Sequence, residues 1–111
     1  PCFGLTPWAR DRAEGRMKLE HAVHLLTARN AAYLGLRDRG TLEVGKRADL
    51  NVIDHARLAL GRPHLVADLP AGGKRFLQSA TGYRATVLAG AVTVENDALT
   101  GQKPGRVVRA A

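Results

Sequence analysis

The chain has 111 residues, with 17 Lys and Arg against 10 Asp and Glu, so its net charge is +7. This length supports one small domain, because a complete (β/α)8 barrel needs about 250 residues. The single cysteine, Cys2, excludes an internal disulfide and predicts a cytoplasmic protein. No apolar run in the sequence approaches the roughly 20 residues of a membrane span, so we expect no membrane partner.

The excess of positive charge lies in the second half of the sequence. Up to Asp54 there are 9 basic and 7 acidic residues, and after it there are 8 basic and 3 acidic residues. A basic surface can bind nucleic acid. The basic residues are scattered, however, and only Phe76 and Tyr83 offer stacking surfaces near them. We therefore expect no nucleic-acid partner.

Two short helices are predicted at the start of the chain. Thr6 as N-cap and Pro7 at the first helical position begin a helix over 8–14, and Gly15 ends it. A second helix covers 19–26 because apolar residues recur there at helical spacing. The members of this apolar stripe are Leu19, Val23 and Leu26.

A third short helix is predicted over 28–34, with Thr27 as its cap. Gly35 is placed to adopt the left-handed conformation, and Leu36 supplies the hydrophobic residue of a Schellman ending. The sequence pattern changes near 36–40, where we place the boundary between a helical part and a strand-rich part.

The second part of the chain is rich in strand-forming residues. Leu69 to Gly73 and Ala89-Gly90 are predicted turns, and the segment 55–68 stays ambiguous because Arg62-Pro63 breaks any helix. Strands are predicted over 50–53, 84–88, 91–95, from Leu99 and over 106–109. The sequence therefore predicts an α+β fold with helices first and mostly antiparallel strands after them.

The run from Gly40 to Asp54 carries the most informative pattern of the chain. Gly45 allows a positive φ, and Asp49, which directly precedes a strand, can accept hydrogen bonds from turn amides. We therefore predict that Gly40, Gly45, Asp49 and Asp54 are structural residues of a turn. A general-base role for Asp49 is the weaker interpretation, since no partner residue is in reach.

The four histidines do not form a metal-binding pattern in the sequence. His21 and His24 are three residues apart on a predicted helix and could share a metal in principle. Cys2 or Glu20 would then have to supply a third ligand. Both histidines fall opposite the apolar stripe, which favours a solvated or interface position. We expect no metal ligand among them, nor in His55 or His64.

Other catalytic patterns are also missing from the sequence. Gly72-Gly73-Lys74 lacks the spacing of a phosphate-binding loop, and no serine lies in a Gly-x-Ser-x-Gly elbow. Cys2 lies at the chain end without a supporting pattern for a catalytic thiol. The sequence therefore predicts no catalytic residue in this chain.

Three stretches of the sequence carry a family resemblance. The first comprises 5–12, 19–27 and 34–40; the second is the block over 45–54; the third comprises 68–78, 80–87, Gly90, Thr100-Gly101 and 104–106. The third stretch, with its pattern D-L-P…G-Y…T-G…P-G-R, is the most specific. Together they resemble the C-terminal end of the N-acyl-D-amino-acid deacylase (D-aminoacylase) branch of the amidohydrolase superfamily.

The resemblance implies that 1–39 match the last helices of a TIM-like barrel and that 40–111 form the C-terminal part of a small β-sandwich. In the family that sandwich is composite and also takes strands from the N-terminus of the full chain. The resemblance further implies a zinc-dependent enzyme, in which metal-bound water attacks an amide carbonyl. The family's His-x-His ligands and catalytic Asp have no counterpart here, so this chain is expected to bind no cofactor itself.

We therefore expect an architectural segment of a zinc-dependent hydrolase of N-acyl-D-amino acids that is not catalytic by itself. Its expected partners are the remainder of the amidohydrolase barrel with its N-terminal strands, or further copies of itself. The chain starts at Pro1 without a methionine, which we take as a sign of a processed or truncated piece. The alternative is a free-standing, non-catalytic protein-association module derived from an amidohydrolase tail.

Overall fold

The structure, a computed structural model, describes residues 2–109. Helices come first and are followed by antiparallel strands, as predicted. The helical elements are α1 (Cys2–Leu5), a π-helical turn (Pro7–Asp11), α2 (Leu19–Leu26), α3 (Ala28–Tyr33) and a 3-10 turn (Pro70–Gly72). The strands are β1 (Leu50–Ile53), β2 (Ala59–Leu60), β3 (His64–Val66), β4 (Arg75–Leu77), β5 (Ala80–Thr81), β6 (Tyr83–Leu88), β7 (Ala91–Glu95) and β8 (Ala98–Leu99). Within residues 2–109, no helix has the length and apolar character needed to cross a membrane.

The first predicted helix, over 8–14, has the wrong bounds. The chain is already helical in α1, and the amide of Asp11 donates to the carbonyl of Thr6 at 2.9 Å, which closes the π-helical turn. Thr6 stands at the predicted N-cap position, with Pro7 after it, but its side chain makes no capping hydrogen bond. Because α1 lies directly before it, its buried hydroxyl instead donates to the carbonyl of Cys2 at 3.0 Å.

Helix α2 covers the predicted residues, but its larger apolar side chains are only partly covered. Ala22 is buried and packs with Cys2 and Leu5 of α1. The three residues of the apolar stripe stay between 37% and 42% exposed, namely Leu19, Val23 and Leu26. Ala22 is therefore the only residue of this helix that is buried.

The end of α3 confirms the predicted Schellman motif. The amide of Leu36 donates to the carbonyl of Ala31 at 2.8 Å, and the amide of Gly35 donates to that of Ala32 at 3.1 Å. Gly35 has a φ of +70°. Thr27 occupies the predicted N-cap position of α3, but its hydroxyl makes no capping hydrogen bond and donates instead to the carbonyl of Val23 in α2 at 2.7 Å.

The main sheet has the strand order β1-β6-β7-β8 and is antiparallel throughout. Two smaller ladders join β2 with β5 and β3 with β4. The predicted strand at β1 and the predicted hairpin of β6 and β7 are confirmed. The predicted strand over 106–109 is wrong, because no strand among the described residues pairs with this segment.

The hydrophobic core is small and lies where the helices meet the sheet. Leu58, in the loop after β1, is completely buried. Cys2, Leu5 and Ala22 pack around it, together with the partly buried ring of Tyr83 from β6. The helices and the main sheet therefore share one thin layer of apolar side chains.

Gly82 allows β6 to begin directly against the loop that contains Leu58. Its φ is +101°, and a Cβ at this position would lie 2.7 Å from the Cα of Leu58. We predict that Gly82→Ala lowers the free energy of unfolding by about 2–4 kcal/mol, from backbone strain and overpacking together. Urea denaturation followed by circular dichroism measures this loss.

The matched control is Gly101→Ala. Gly101 also has a positive φ, +86°, but a Cβ there would meet nothing within 4 Å. Backbone strain alone should cost about 1–2 kcal/mol in this variant. Equal losses in the two variants would contradict a decisive close approach between Gly82 and Leu58.

Candidate functional site

The loop between α3 and β1 contains the sequence block singled out above, and two glycines shape it. The φ angles are +95° at Gly40 and +90° at Gly45. A Cβ at Gly40 would lie 2.6 Å from the Cβ of Ala31, so the loop passes closely over α3. A Cβ at Gly45 would meet nothing within 4 Å, so backbone freedom alone favours glycine there.

Asp49 connects this loop to the hairpin turn between β6 and β7. Its carboxylate accepts hydrogen bonds from the amide of Ala89 at 2.7 Å and from Nε of Arg47 at 3.0 Å. Nη1 of Arg39 lies 3.5 Å from the same carboxylate. The bound amide belongs to a turn 40 residues away in sequence. Asp49 therefore fastens two distant parts of the chain together.

Asp54 directly follows β1, at the opposite end of this strand from Asp49. Its carboxylate accepts hydrogen bonds from Nη2 of Arg84 at 3.1 Å and from the amide of Arg57 at 3.3 Å. The hydrogen bond from Arg84 is the main cause that holds the pKa of Asp54 below its ordinary value. Its own amide donates to the carbonyl of Gly82 at 2.8 Å. Both carboxylates of the block therefore make contacts that organise the sheet.

Arg10 has a structural role that sequence patterns do not reveal. Its Nη1 donates to the carbonyls of His55 at 2.6 Å, Ala56 at 3.2 Å and Leu58 at 2.8 Å. Nε2 of His55 lies 3.0 Å from the carbonyl oxygen of Leu5. These contacts hold the helical segment against the loop after β1. A single arginine in a helical pattern carries no signal for a partner 45 residues away.

Asp97 is a second residue whose role is visible only in the structure. Its carboxylate accepts hydrogen bonds from the amides of Gly82 at 3.1 Å and Tyr83 at 2.6 Å. The sequence places it in a turn with Asn96, and both residues have positive φ angles. The carboxylate thus ties the turn between β7 and β8 to the start of β6.

The histidines do not come together in the structure. His21 and His24 are exposed on α2, whereas Cys2 is buried with its Sγ 2.9 Å from the hydroxyl of Tyr83. Across residues 2–109 there is no group of three His, Cys, Asp or Glu side chains that could hold a metal ion. The donor sets of known catalytic zinc sites need at least three such protein ligands.

Two clefts on the described surface also lack the groups that acid–base catalysis requires. One, of about 430 Å³, lies beside the turn at Ala89 and is lined by Arg47 and residues 103–106. The other, of about 500 Å³, lies between α3 and the loop that follows it. Neither cleft is lined by a His, Cys, Asp or Glu residue. Neither therefore presents a general base of these types to a substrate.

The contact between Asp49 and Ala89 can be tested by two substitutions. We predict that Asp49→Ala lowers the free energy of unfolding by about 1–2 kcal/mol, because the amide of Ala89 loses a charged acceptor. Asp49→Asn retains an oxygen that can accept this hydrogen bond, so it should lose less. Equal losses in urea denaturation would instead assign the effect to the ion pairs with Arg47 and Arg39.

Tyr83 should make the stability of the protein depend on alkaline pH. Burial first, and the contact with Cys2 second, raise the pKa of Tyr83 from 10.0 to about 12. The folded protein therefore holds this proton more tightly than the unfolded chain does. The contribution to stability is complete below pH 10 and is lost as the pH rises from 10 to about 12.

The difference in phenolate absorbance between the wild type and Tyr83→Phe gives the midpoint of this titration, since Tyr33 is present in both. Unfolding experiments across the same pH range give the stability. Tyr83→Phe has no proton to lose, so its stability should fall less steeply than that of the wild type. Equal slopes for the two proteins would show that Tyr83 is not the group responsible.

Comparisons with known proteins agree with the motifs. The model of the Amidohydrolase family matches residues 2–94. Over 101 residues the chain is 38% identical to a D-aminoacylase of Alcaligenes xylosoxydans xylosoxydans, and this alignment covers 91% of the chain and 19% of the relative. Over 82 residues it is 35% identical to a 5'-deoxyadenosine deaminase of Methanobrevibacter smithii, and this alignment covers 71% of the chain and 18% of the relative.

No solved structure matches the chain significantly. The chain spans about one fifth of the length of the curated relatives it matches. The family match nevertheless covers most of the chain and includes the block from Gly40 to Asp54. The chain belongs to the amidohydrolase family, and its similarity to D-aminoacylase confirms the branch that the sequence motifs predicted.

Proposed function

We propose that this chain is the C-terminal, architectural segment of a zinc-dependent amidohydrolase that hydrolyses N-acyl-D-amino acids. Family membership and the identity to a D-aminoacylase support this class of reaction. In the proposal, 1–39 supply the last barrel helices and 40–111 supply the C-terminal part of a small β-sandwich. The segment shapes the enzyme and carries out no chemistry by itself.

The large uncovered surface of the chain is the observation that carries this proposal. Its accessible surface is 8618 Å², whereas a folded monomer of the same mass has about 5,900 Å². Its radius of gyration is 16.0 Å, against about 13 Å for a compact domain of this length. An excess of roughly 2,700 Å² on one partner lies at the upper end of what each side of a large, permanent interface buries. A large body that covers the segment accounts for this excess.

The exposed apolar side chains of the helical part support packing against such a body. The stripe of α2 is partly exposed, and Phe3 and Trp8 are 63% and 44% exposed. Large exposed apolar patches mark the interaction surfaces of proteins. Packing against the rest of a barrel would remove these side chains from water and add the apolar contacts that the thin core lacks.

Amidohydrolases generally depend on a metal, and residues 2–109 do not fit a metal site. The two histidines that are closest in sequence, His21 and His24, have no third ligand beside them. We therefore assign the zinc and the catalytic Asp to the remainder of the enzyme and derive no chemical step from this chain. The single cysteine supports the proposed cytoplasmic location.

Native mass spectrometry of material purified from its source tests the proposal. We expect the 11.9 kDa sequence to occur within, or bound to, a much larger polypeptide that carries zinc. A denatured mass of the same material distinguishes a covalent continuation from a separate chain. The larger species should release the amino acid from an N-acetyl-D-amino acid.

The pure 111-residue chain with added zinc is the matched control, and it should release none, because it lacks a ligand set that activates water. Zinc-dependent turnover by the pure chain would overturn the assignment of an architectural role. If the 111-residue chain occurs only by itself, the proposed function is wrong, and the alternative of a free-standing protein-association module takes its place.

A further inference from the structure

Strands β3 and β4 with their connection form a two-stranded ribbon over residues 64–77, here called the arm. Among the described residues the two strands pair only with each other, in the register His64 to Leu77, Leu65 to Phe76 and Val66 to Arg75. Two-stranded ribbons that pack against nothing else are marginally stable in water. The arm therefore lacks the covering that a strand pair ordinarily has.

The face of the arm that contains Leu65 and Phe76 is apolar and exposed. These two residues lie directly opposite each other, and in an antiparallel ladder their side chains share one face. Leu65 is 53% exposed and Phe76 is 72% exposed. Aromatic side chains, including Phe, are enriched in the central part of protein interfaces.

The arm has a defined shape although most of its residues are exposed in the described structure. Arg75 forms two parallel hydrogen bonds with the carboxylate of Asp68, at 2.7 Å and 2.6 Å. The amide of Leu69 donates to the carbonyl of Gly73 at 3.2 Å and closes the tip. A surface ordered in this way before binding loses less conformational entropy when it meets a partner.

The charged side chains near Leu65 and Phe76 indicate which charge the partner surface carries. The side chains of Arg62 and Lys74 form no hydrogen bond or ion pair with any residue of 2–109, whereas Asp68 is neutralised by Arg75. The apolar pair of the arm therefore lies near positive charge. A partner surface that is apolar and rimmed by carboxylates complements these charges, whereas a second copy of the arm carries the same positive charges and is repelled.

We infer that the arm is a docking element, and that its Leu65 and Phe76 insert into an acid-rimmed apolar surface on the main body of the same amidohydrolase. This inference rests on the proposed function, in which that body exists. The body is the favoured occupant because the chain spans about one fifth of its curated relatives. The uncovered area of the chain also exceeds what a small partner would bury.

The test uses the enzyme divided into two polypeptides, the 111-residue chain and the body encoded upstream of it, expressed together. Affinity capture of the body should retain the wild-type chain. The double variant Leu65→Ser and Phe76→Ser should lower retention at least tenfold. Because both side chains are exposed, circular dichroism should show that this variant keeps the secondary structure of the free chain.

The matched control removes two exposed apolar side chains outside both the arm and the helical part, by Leu42→Ser and Val44→Ser. Leu42 is 81% exposed and Val44 is fully exposed, so the control loses at least a comparable amount of exposed apolar surface. Retention of the control should stay within twofold of the wild type. A control that fails as badly as the arm variant would overturn the assignment to the arm.

Each remaining outcome separates the two proposals. If the wild-type chain does not bind the body, or no body is encoded, the proposed function fails and the docking inference fails with it. If the body retains wild type and arm variant equally, the function stands and the docking inference is wrong. If sedimentation shows instead that the free chain dimerises through Leu65 and Phe76, the occupant is a second copy, which also overturns the inference.

Discussion

The contact between the helical segment and the loop after β1 is the interaction on which the rest of this structure depends. Arg10 donates hydrogen bonds to three carbonyls of that loop. The same loop contains Leu58, the only large side chain among the described residues that is completely buried. Gly82 must approach Leu58 closely for β6 to start there. If this contact is lost, the main sheet keeps its backbone ladder but no longer shares a core with the helices.

Local chemistry made part of this fold predictable. Gly35 and Leu36 end α3 as expected because a Schellman motif is decided within six residues, and the turn at Ala89-Gly90 joins strands that are adjacent in sequence. The first helix was misplaced because Thr6 bonds to α1, an element too short to have a periodic signal. The expected strand over 106–109 had strand-forming residues but no neighbouring strand among the described residues.

The candidate site shows the same division between local and distant information. A positive φ at Gly45 follows from turn chemistry, and Asp49 was expected to bind turn amides. That the amide belongs to Ala89 could not be read from spacing, because the two residues meet only after β1 pairs with β6. Arg10 and Asp97 were missed for this reason as well. The long-range hydrogen-bond partners of single polar residues depend on the topology of the fold. The residue pattern of one sequence gives no signal for them.

The ends of the arm suggest how length variation could arise in this family. The amide of Gly61 donates to the carbonyl of Ser79 at 2.9 Å, directly beside the β2–β5 ladder. The segment that contains the arm therefore begins and ends at neighbouring positions. Insertions or deletions between these two residues change the reach of the arm without moving Leu58 or the main sheet. Because loop closure costs little more as a loop lengthens, evolution can adjust this contact independently of the fold that supports it.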